Sequence, residues 1–529
     1  MNVHLTSIFP MQVIPVGQNG ELTEKNTSPE VKVKEKTLTH RGKKIPNVFG
    51  DLAINNAKAV LTPDDPFIPV HAKPGQIKTL ALSLDRPDGY FPPDEMEYLQ
   101  YNFLKALHII NPDVDYKVID ANAKKQSISM KALTQIGCKP RSKFFVSKTV
   151  SPWLEDNMLA LSNTKGEILL LEPRGQYKDS DKVADIISNT SDKIHVKESN
   201  VYFEGGDLRY GISPTDGKRA LFIGALSFME NTRMEARERL GLSKTAPDFN
   251  TKEPWEDYAK RLKEWNFPTI TDEDYRKSTQ GFLTEFSQYG YEKHNIYFVG
   301  ANSEGKTFSS LENASFTLPE QLKETPIPME SMLYHSDLVI VPTEQKDKQG
   351  KPIILLSEPI EETFNDDSGY FTKKDFEEFY KKTPETYFSK IKQSYETTKN
   401  TLEKQGFSVR TLPFDYFEPP YLSEKNQGNT LAPQRRKMGY GLSWANYANI
   451  EISETNQGKK VIFIPTQDKN GESIYDTQAL AIYKEVFPEA LLVPVEGLRT
   501  IKHLGQDSFI PGYNGYLNCW FNVLDRKAP

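Results

Sequence analysis

Cysteine is nearly missing: the chain has 529 residues and two cysteines, Cys138 and Cys519. One disulfide is arithmetically possible, but so few thiols in so long a chain read as free thiols in a reducing compartment. No Cys-x-x-Cys and no clustered His/Cys spacing occurs, so the usual zinc patterns are excluded. Long hydrophobic runs are missing too. None approaches the ~18–20 residues needed to cross a bilayer, and no basic segment followed by an apolar core opens the chain as a conventional signal peptide would. A surplus of positive charge is also absent. Lys and Arg number 66 against 72 Asp and Glu, a net charge of -6. No basic stripe interleaved with aromatics appears, which argues against a nucleic-acid partner. The densest basic run, Arg435-Arg436-Lys437, reads as a solvated loop. The expectation is a protein with neither membrane nor nucleic acid as partner, cytoplasmic or exported without a conventional signal peptide. Its oligomeric state is not legible.

What is present is enough for one large core or two to three domains. Hydrophobic residues make up 37% and aromatics 11%, so a packed interior is expected. The mean hydropathy of -0.59 implies long polar loops around it. Residues 1–76 are rich in Lys, Glu, Thr, Asn, Pro and Gly with weak periodicity, and read as a polar extension. Regular patterning begins at Ile77, with an apolar strand through Leu84. Pro92-Pro93-Asp94 opens a helix with Met96, Leu99, Phe103, Leu107 and Ile110 on one face. Tyr116–Ile119 is the next strand.

Strand–helix–strand units then recur along residues 77–529. Apolar runs stand at 144–146, 168–171, 220–223, 338–341, 353–356, 409–412, 450–452, 461–464 and 491–494, and a helix is expected over 232–240. The class is α/β, an array of small strand–helix modules. Two stretches with helical spacing, near 241–330 and 360–405, read as helical insertions, the second stopped by Gly406. Asn365-Asp366-Asp367-Ser368-Gly369 is not an EF-hand, because counting back from the glycine puts Phe364 at the first ligand position. A capped helix start fits it better.

Four short motifs carry chemistry. Trp153-Leu154-Glu155-Asp156 ends a strand-like run. Phe203-Glu204-Gly205-Gly206-Asp207 puts two carboxylates around glycines that permit close backbone approach, and no phosphate-loop pattern follows it. His335-Ser336-Asp337 opens the run 338–341; on a strand, residues two apart face the same side, so imidazole and carboxylate would project together. Gly515-Tyr516-Leu517-Asn518-Cys519-Trp520-Phe521-Asn522 surrounds the second thiol with turn formers. Each motif alone has an ordinary reading: a strand-end acid, a tight turn, a surface His–Asp pair, a buried inert cysteine. Cys138 takes the inert reading. Together the motifs supply a thiol, an imidazole and paired carboxylates, the equipment for attacking a guanidinium carbon. That planar cation resists nucleophiles because its charge is delocalised, so carboxylates must hold it, a thiolate must be aimed at its carbon, and a proton must reach the leaving amine.

In order and content these motifs resemble those of the guanidine-modifying penteins, most nearly the catalytic domain of protein-arginine deiminases. The resemblance spans roughly 77–525. It implies a five-module pseudo-symmetric α/β propeller with the site on its axis. It implies Cys519 as nucleophile, His335 as general acid/base, and Asp156 and Asp337 as clamps on the terminal nitrogens. Trp153 belongs to the first motif, and Glu204 would orient His335. Pro173-Arg174-Gly175 resembles a loop that grips peptide backbone, Tyr447-Ala448-Asn449 resembles a Tyr-x-Asn element before a late strand, and Arg233 is a further substrate-binding candidate. The sequence departs from the family at Asn518, where a histidine is usual. Asn157 and Leu159 stand where the vertebrate enzymes carry calcium-binding acids, so calcium dependence is not carried over. The expected activity is hydrolysis of arginine in proteins or peptides to citrulline and ammonia, with no metal or organic cofactor. Free arginine or agmatine hydrolysis, amidino transfer and a non-catalytic binding role are the alternatives.

Overall fold

The structure, a computed structural model, describes residues 36–40, 43–47, 65–82, 93–120, 144–146, 154–175, 183–243, 247, 254–300, 306–328, 336, 339–360, 387–415, 445–466, 474–496 and 521–527. The chain divides into two compact units, Met1–Asn55 and Asn56–Pro529. In the first, β1 (Lys36–His40) and β2 (Lys43–Asn47) form an antiparallel hairpin.

The second unit is a mixed α/β fold of five small sheets. Its strands are β3 (Ile68–Pro69), β4 (Gln76–Leu82), β5 (Asp115–Asp120), β6 (Phe144–Val146), β7 (Leu159–Ser162), β8 (Ile168–Glu172), β9 (Ile194–Glu198), β10 (Leu208–Ile212), β11 (Arg219–Gly224) and β12 (Ile296–Val299). They continue as β13 (Ile340–Lys346), β14 (Pro352–Ile360), β15 (Ser408–Asp415), β16 (Ala445–Asn446), β17 (Glu451–Glu454), β18 (Lys460–Thr466), β19 (Leu491–Glu496) and β20 (Phe521–Lys527). One pattern repeats in every sheet. An antiparallel pair is followed by a crossover to a third, parallel strand: β7-β8-β9, β10-β11-β12, β13-β14-β15 and β17-β18-β19. The fifth case is assembled from distant chain, with β20 antiparallel to β4 and β5 parallel to it.

Parallel neighbours need a crossover, and in these five cases a helix supplies it. Pro93–Ile110 links β4 to β5, and Phe103 and Leu107 of its predicted apolar face are fully buried. Val183–Ser188, Tyr387–Lys404 and Ile474–Val486 serve the sheets of β8, β14 and β18. Between β11 and β12 the connection is longest, with helices Ala225–Arg239, Trp255–Asn266 and Asp272–Ser287. Trp255–Asn266 and Asp272–Ser287 lie within 241–330, and Tyr387–Lys404, within 360–405, is a module's crossover that ends two residues before Gly406. Residues 65–76 belong to the larger unit: Phe67 and Val70 are buried, and β3 pairs with β7.

The central strand of four sheets alternates between two cores. Leu169 and Leu171 of β8 lie in one core with Leu221 and Ile223 of β11. Ala220 and Phe222 of β11 lie in another with Ile354 and Leu356 of β14. Ile353 and Leu355 join Ile462 and Ile464 of β18, while Val461 and Phe463 join Leu80 of β4 and Ile168 and Leu170 of β8. Strands buried on both faces read as continuous apolar runs, which is why these segments stood out in the sequence. Among the described residues no helix is long and apolar enough to cross a membrane.

Candidate active site

The first motif forms a single helical turn, Leu154–Asn157, just before β7. Leu-Glu-Asp favours helix over strand at this point, so the expected strand end is a turn. Asp156 is half-buried, and its Oδ1 accepts the Gly206 N–H at 3.4 Å. Glu155 beside it is buried and faces Arg209, with Nη1 to Oε1 at 3.5 Å; Arg209 Nη2 donates to Gly206 O at 3.2 Å.

The second motif forms a 3-10 turn, Gly205–Asp207, leading into β10. It lies so close to the first that a Cβ on Gly205 would stand 2.0 Å from Glu155 O, which only glycine avoids. The helix Ala225–Arg239 fixes the strand-like approach to this turn. Ser227 and Asn231 are four apart, hence on one helix face, and both are buried. Asn231 Oδ1 accepts the Tyr202 N–H at 2.9 Å, and Ser227 Oγ accepts the Glu204 N–H at 3.0 Å. Glu204 is half-buried, and the Tyr202 hydroxyl donates to its Oε1 at 2.5 Å.

Asp207 is fully buried. Its Oδ2 accepts the Ser227 N–H at 2.6 Å and its Oδ1 the Ser336 N–H at 2.8 Å. Ser336 is the middle residue of the third motif, and β13 begins only at Ile340. Of this motif Ser336 is described, and its N–H is taken by Asp207 rather than by a strand ladder. Asn522 of the fourth motif is buried in β20, donating from Nδ2 to Met158 O at 2.8 Å and Leu154 O at 3.4 Å. Trp153, His335, Asp337 and Cys519 lie outside the described residues, as do Cys138, Arg435–Lys437 and Asn365–Gly369.

The remaining candidates lie as follows. Arg174 is engaged by two carboxylates of one helix, Nη1 with Glu235 at 2.5 Å and Nη2 with Glu238 at 2.7 Å. Burial opposes its charge, but the two partners outweigh this and raise its pKa. Arg233 pairs with Glu230 one turn away and lies 5.7 Å over the Phe267 ring. Asn449 is fully buried just before β17, and Tyr447 two residues earlier donates to Asp476 Oδ1 at 2.7 Å. The positions expected to contact substrate thus split: Asp156 and Glu204 lie where the first two motifs meet, whereas Arg174 and Arg233 are committed to ion pairs on the helix Ala225–Arg239.

Sequence reading missed a second buried charge set. Arg526 Nη2 donates to Glu451 Oε1 at 2.8 Å, and Arg526 also caps Val70 O, Gly75 O and Ile452 O. His71 Nδ1 stands 3.9 Å from Glu451 Oε2. Burial, then the nearby Arg526 and Arg209 charges, push the His71 pKa well down. Burial raises that of Glu451 despite Arg526. The available signal was a charged residue inside an apolar run, as in Ile450-Glu451-Ile452. Among the described residues, Asp216, Glu292 and His294 form the one trio with metal-like spacing. Lys218 pairs with Glu292, and His294 Nε2 is 3.1 Å from Asp216, so the trio reads as an exposed ion-pair cluster.

No protein-family profile and no curated protein matches the chain. Among solved structures it is similar to a C. jejuni agmatine deiminase, with a TM-score of 0.43 and 14% identity, covering 87% of this chain and 95% of that one. It is similar to a second structure, provisionally assigned as an agmatine deiminase, with a TM-score of 0.43 and 13% identity, covering 86% and 95%.

Proposed function

We propose that the protein is a hydrolase that opens a guanidinium group, built as five like modules around a common axis, a pentein propeller. One observation carries the reading. Motifs scattered from residue 153 to residue 522 are tied to one another by hydrogen bonds: Gly206 to Asp156, Ser336 to Asp207, and Asn522 to Leu154 and Met158. Four ordinary local motifs have no reason to meet; a site assembled from distant loops requires it.

In this reading Asp156 and Asp337 hold the two terminal nitrogens of the cation as charge-assisted acceptors. The Cys519 thiolate attacks the central carbon, forming a C–S bond. His335 gives a proton to the departing nitrogen, and ammonia leaves as the C–N bond breaks. The same imidazole then takes a proton from water, whose oxygen attacks the S-alkylthiouronium carbon. The C–S bond breaks and the ureido product departs, with the thiolate restored. Arginine in proteins or peptides would give citrulline. The commitment of Arg174 to Glu235 and Glu238 favours a second substrate class, small guanidines such as free arginine or agmatine, because the residue nominated to grip peptide backbone is held elsewhere.

Ammonia and ureido product measured on arginine, agmatine and an arginine-containing protein test this, with and without calcium. Wild-type protein is expected to release both, and Cys519→Ser to lose the activity by ~10³-fold or more. Undiminished ammonia release by Cys519→Ser sinks the mechanism, and a new guanidino compound in place of ammonia identifies amidino transfer. Selective alkylation of Cys519 over Cys138 by a haloacetamidine counts against a purely binding role.

A further inference from the structure

We propose that Asp207 is a positioning residue: its carboxylate sets the register of the segment around Ser336 against the N-terminal turn of the helix Ala225–Arg239. The anchor rests on geometry alone, and its catalytic consequence rests on the guanidine-hydrolase reading. Asp207 is fully buried and accepts one main-chain N–H on each oxygen, from Ser227 at 2.6 Å and from Ser336 at 2.8 Å. Ser227 lies in the first helical turn, where N–H groups have no intrahelical acceptor and the helix end favours an anion.

The pocket is cut to the carboxylate. A Cβ on Gly224, at the junction of β11 and the helix, would fall 1.6 Å from Asp207 Oδ1. A plain helix cap would use only the Ser227 bond. Here the second oxygen reaches a residue 129 positions away, between His335 and Asp337 in the sequence. The Ser336 nitrogen belongs to the planar peptide that joins it to His335. Holding that nitrogen therefore anchors the residue that follows the proposed acid/base in the sequence. The Val339 N–H to Ser336 O bond of 2.9 Å continues the constraint towards β13. In this scheme Asp207 acts through the segment it holds.

Asp207→Asn is the discriminating variant. A carboxylate accepts on both oxygens, whereas an amide accepts on one and presents N–H to the other donor. Backbone hydrogen exchange at Ser336 and Val339 should speed up by ~10-fold, the loss of about one hydrogen bond. In steady-state assays kcat should fall by ~10²-fold, as small misplacements do, while KM stays within about threefold. If Asp207→Asn does not fold, Ser336→Pro carries the kcat and Val339 readouts, since it deletes the donor and leaves the Asp207–Ser227 bond in place. Unchanged exchange and unchanged kcat overturn the proposal and leave the hydrolase reading standing. Faster exchange in a protein whose wild type hydrolyses no guanidine retires the hydrolase reading and leaves the anchor. Proportional loss of kcat, raised KM and a collapsed melting temperature mark Asp207 as structural only and overturn its positioning role.

Discussion

Asp207 and Glu451 are both buried carboxylates, and their hydrogen-bond partners differ in kind. Asp207 is met on each oxygen by a main-chain N–H. Glu451 is met chiefly by side chains, the Arg526 guanidinium and the His71 ring, with the Ile452 backbone as a lesser partner. Main-chain donors cannot titrate, swing away or change charge, so the first arrangement fixes geometry. Side-chain ions must themselves be desolvated, so the second trades Coulomb attraction against burial, and burial prevails in the raised Glu451 pKa. A carboxylate locked by the backbone suits a place where distant loops must keep register. A carboxylate locked by ions suits a seam where chain segments are sealed together.

The largest expected effect breaks the ionic member. Arg526→Met leaves Glu451 buried without its guanidinium partner and uncaps three carbonyls, and should cost about 3–5 kcal/mol in urea unfolding. Adding Glu451→Met should recover much of that loss, because a buried pair replaced by apolar groups is often close to neutral. A single variant that unfolds like wild type would erase the contrast with Asp207. Next in size is Asn522→Ala, which removes the donor to Met158 O and Leu154 O and leaves buried carbonyls unmatched, for about 1–3 kcal/mol. Its melting temperature should drop by several degrees.

The smallest effect concerns pH. His71 has a folded-state pKa below the ordinary 6.5, so the unfolded chain binds its proton first as pH falls. Stability from this group is complete above about pH 6.5 and declines below it, with a slope of at most ~1.4 kcal/mol per pH unit for one proton. Glu451 runs the other way: with its pKa raised above 4.5, its contribution is complete below that value and is lost as pH rises through the folded-state value. His71→Phe should flatten the acid side of the melting-temperature profile below pH 6.5. An unchanged slope would show that burial of a neutral His71 does not contribute to the acid side of the profile.

The strands were legible because they are buried on both faces. The runs at 168–171, 353–356 and 461–464 fall inside β8, β14 and β18. The module repeat followed from them, but β20 and β4 could not be paired from sequence, since nothing local in Phe521–Lys527 names its partner. Elements next to polar anchors were misjudged. Leu154–Asn157 is a helical turn rather than a strand end, and the helix expected from Thr232 begins at Ala225. There an apolar run after Gly224 reads like continuing strand, while the deciding contacts come from Asp207 and the 202–204 backbone. Of the candidate site, the motif set and its shared order were legible. The commitment of Arg174 to Glu235 and Glu238, 61 and 64 positions away, was not, because a sequence shows charge and not distance.

The pairing of β20 with β4 has a consequence for biogenesis. Lys78 and Asp525, which join across it, are 447 positions apart. A ribosome therefore delivers nearly the whole second unit before the strand that flanks β4 exists. Until then a nascent chain carries an open backbone edge of the kind that recruits stray strands. Contacts so remote in sequence also close slowly. Expression at low temperature or with chaperone support should raise the soluble yield, and loss of Phe521–Lys527 should leave a chain that aggregates.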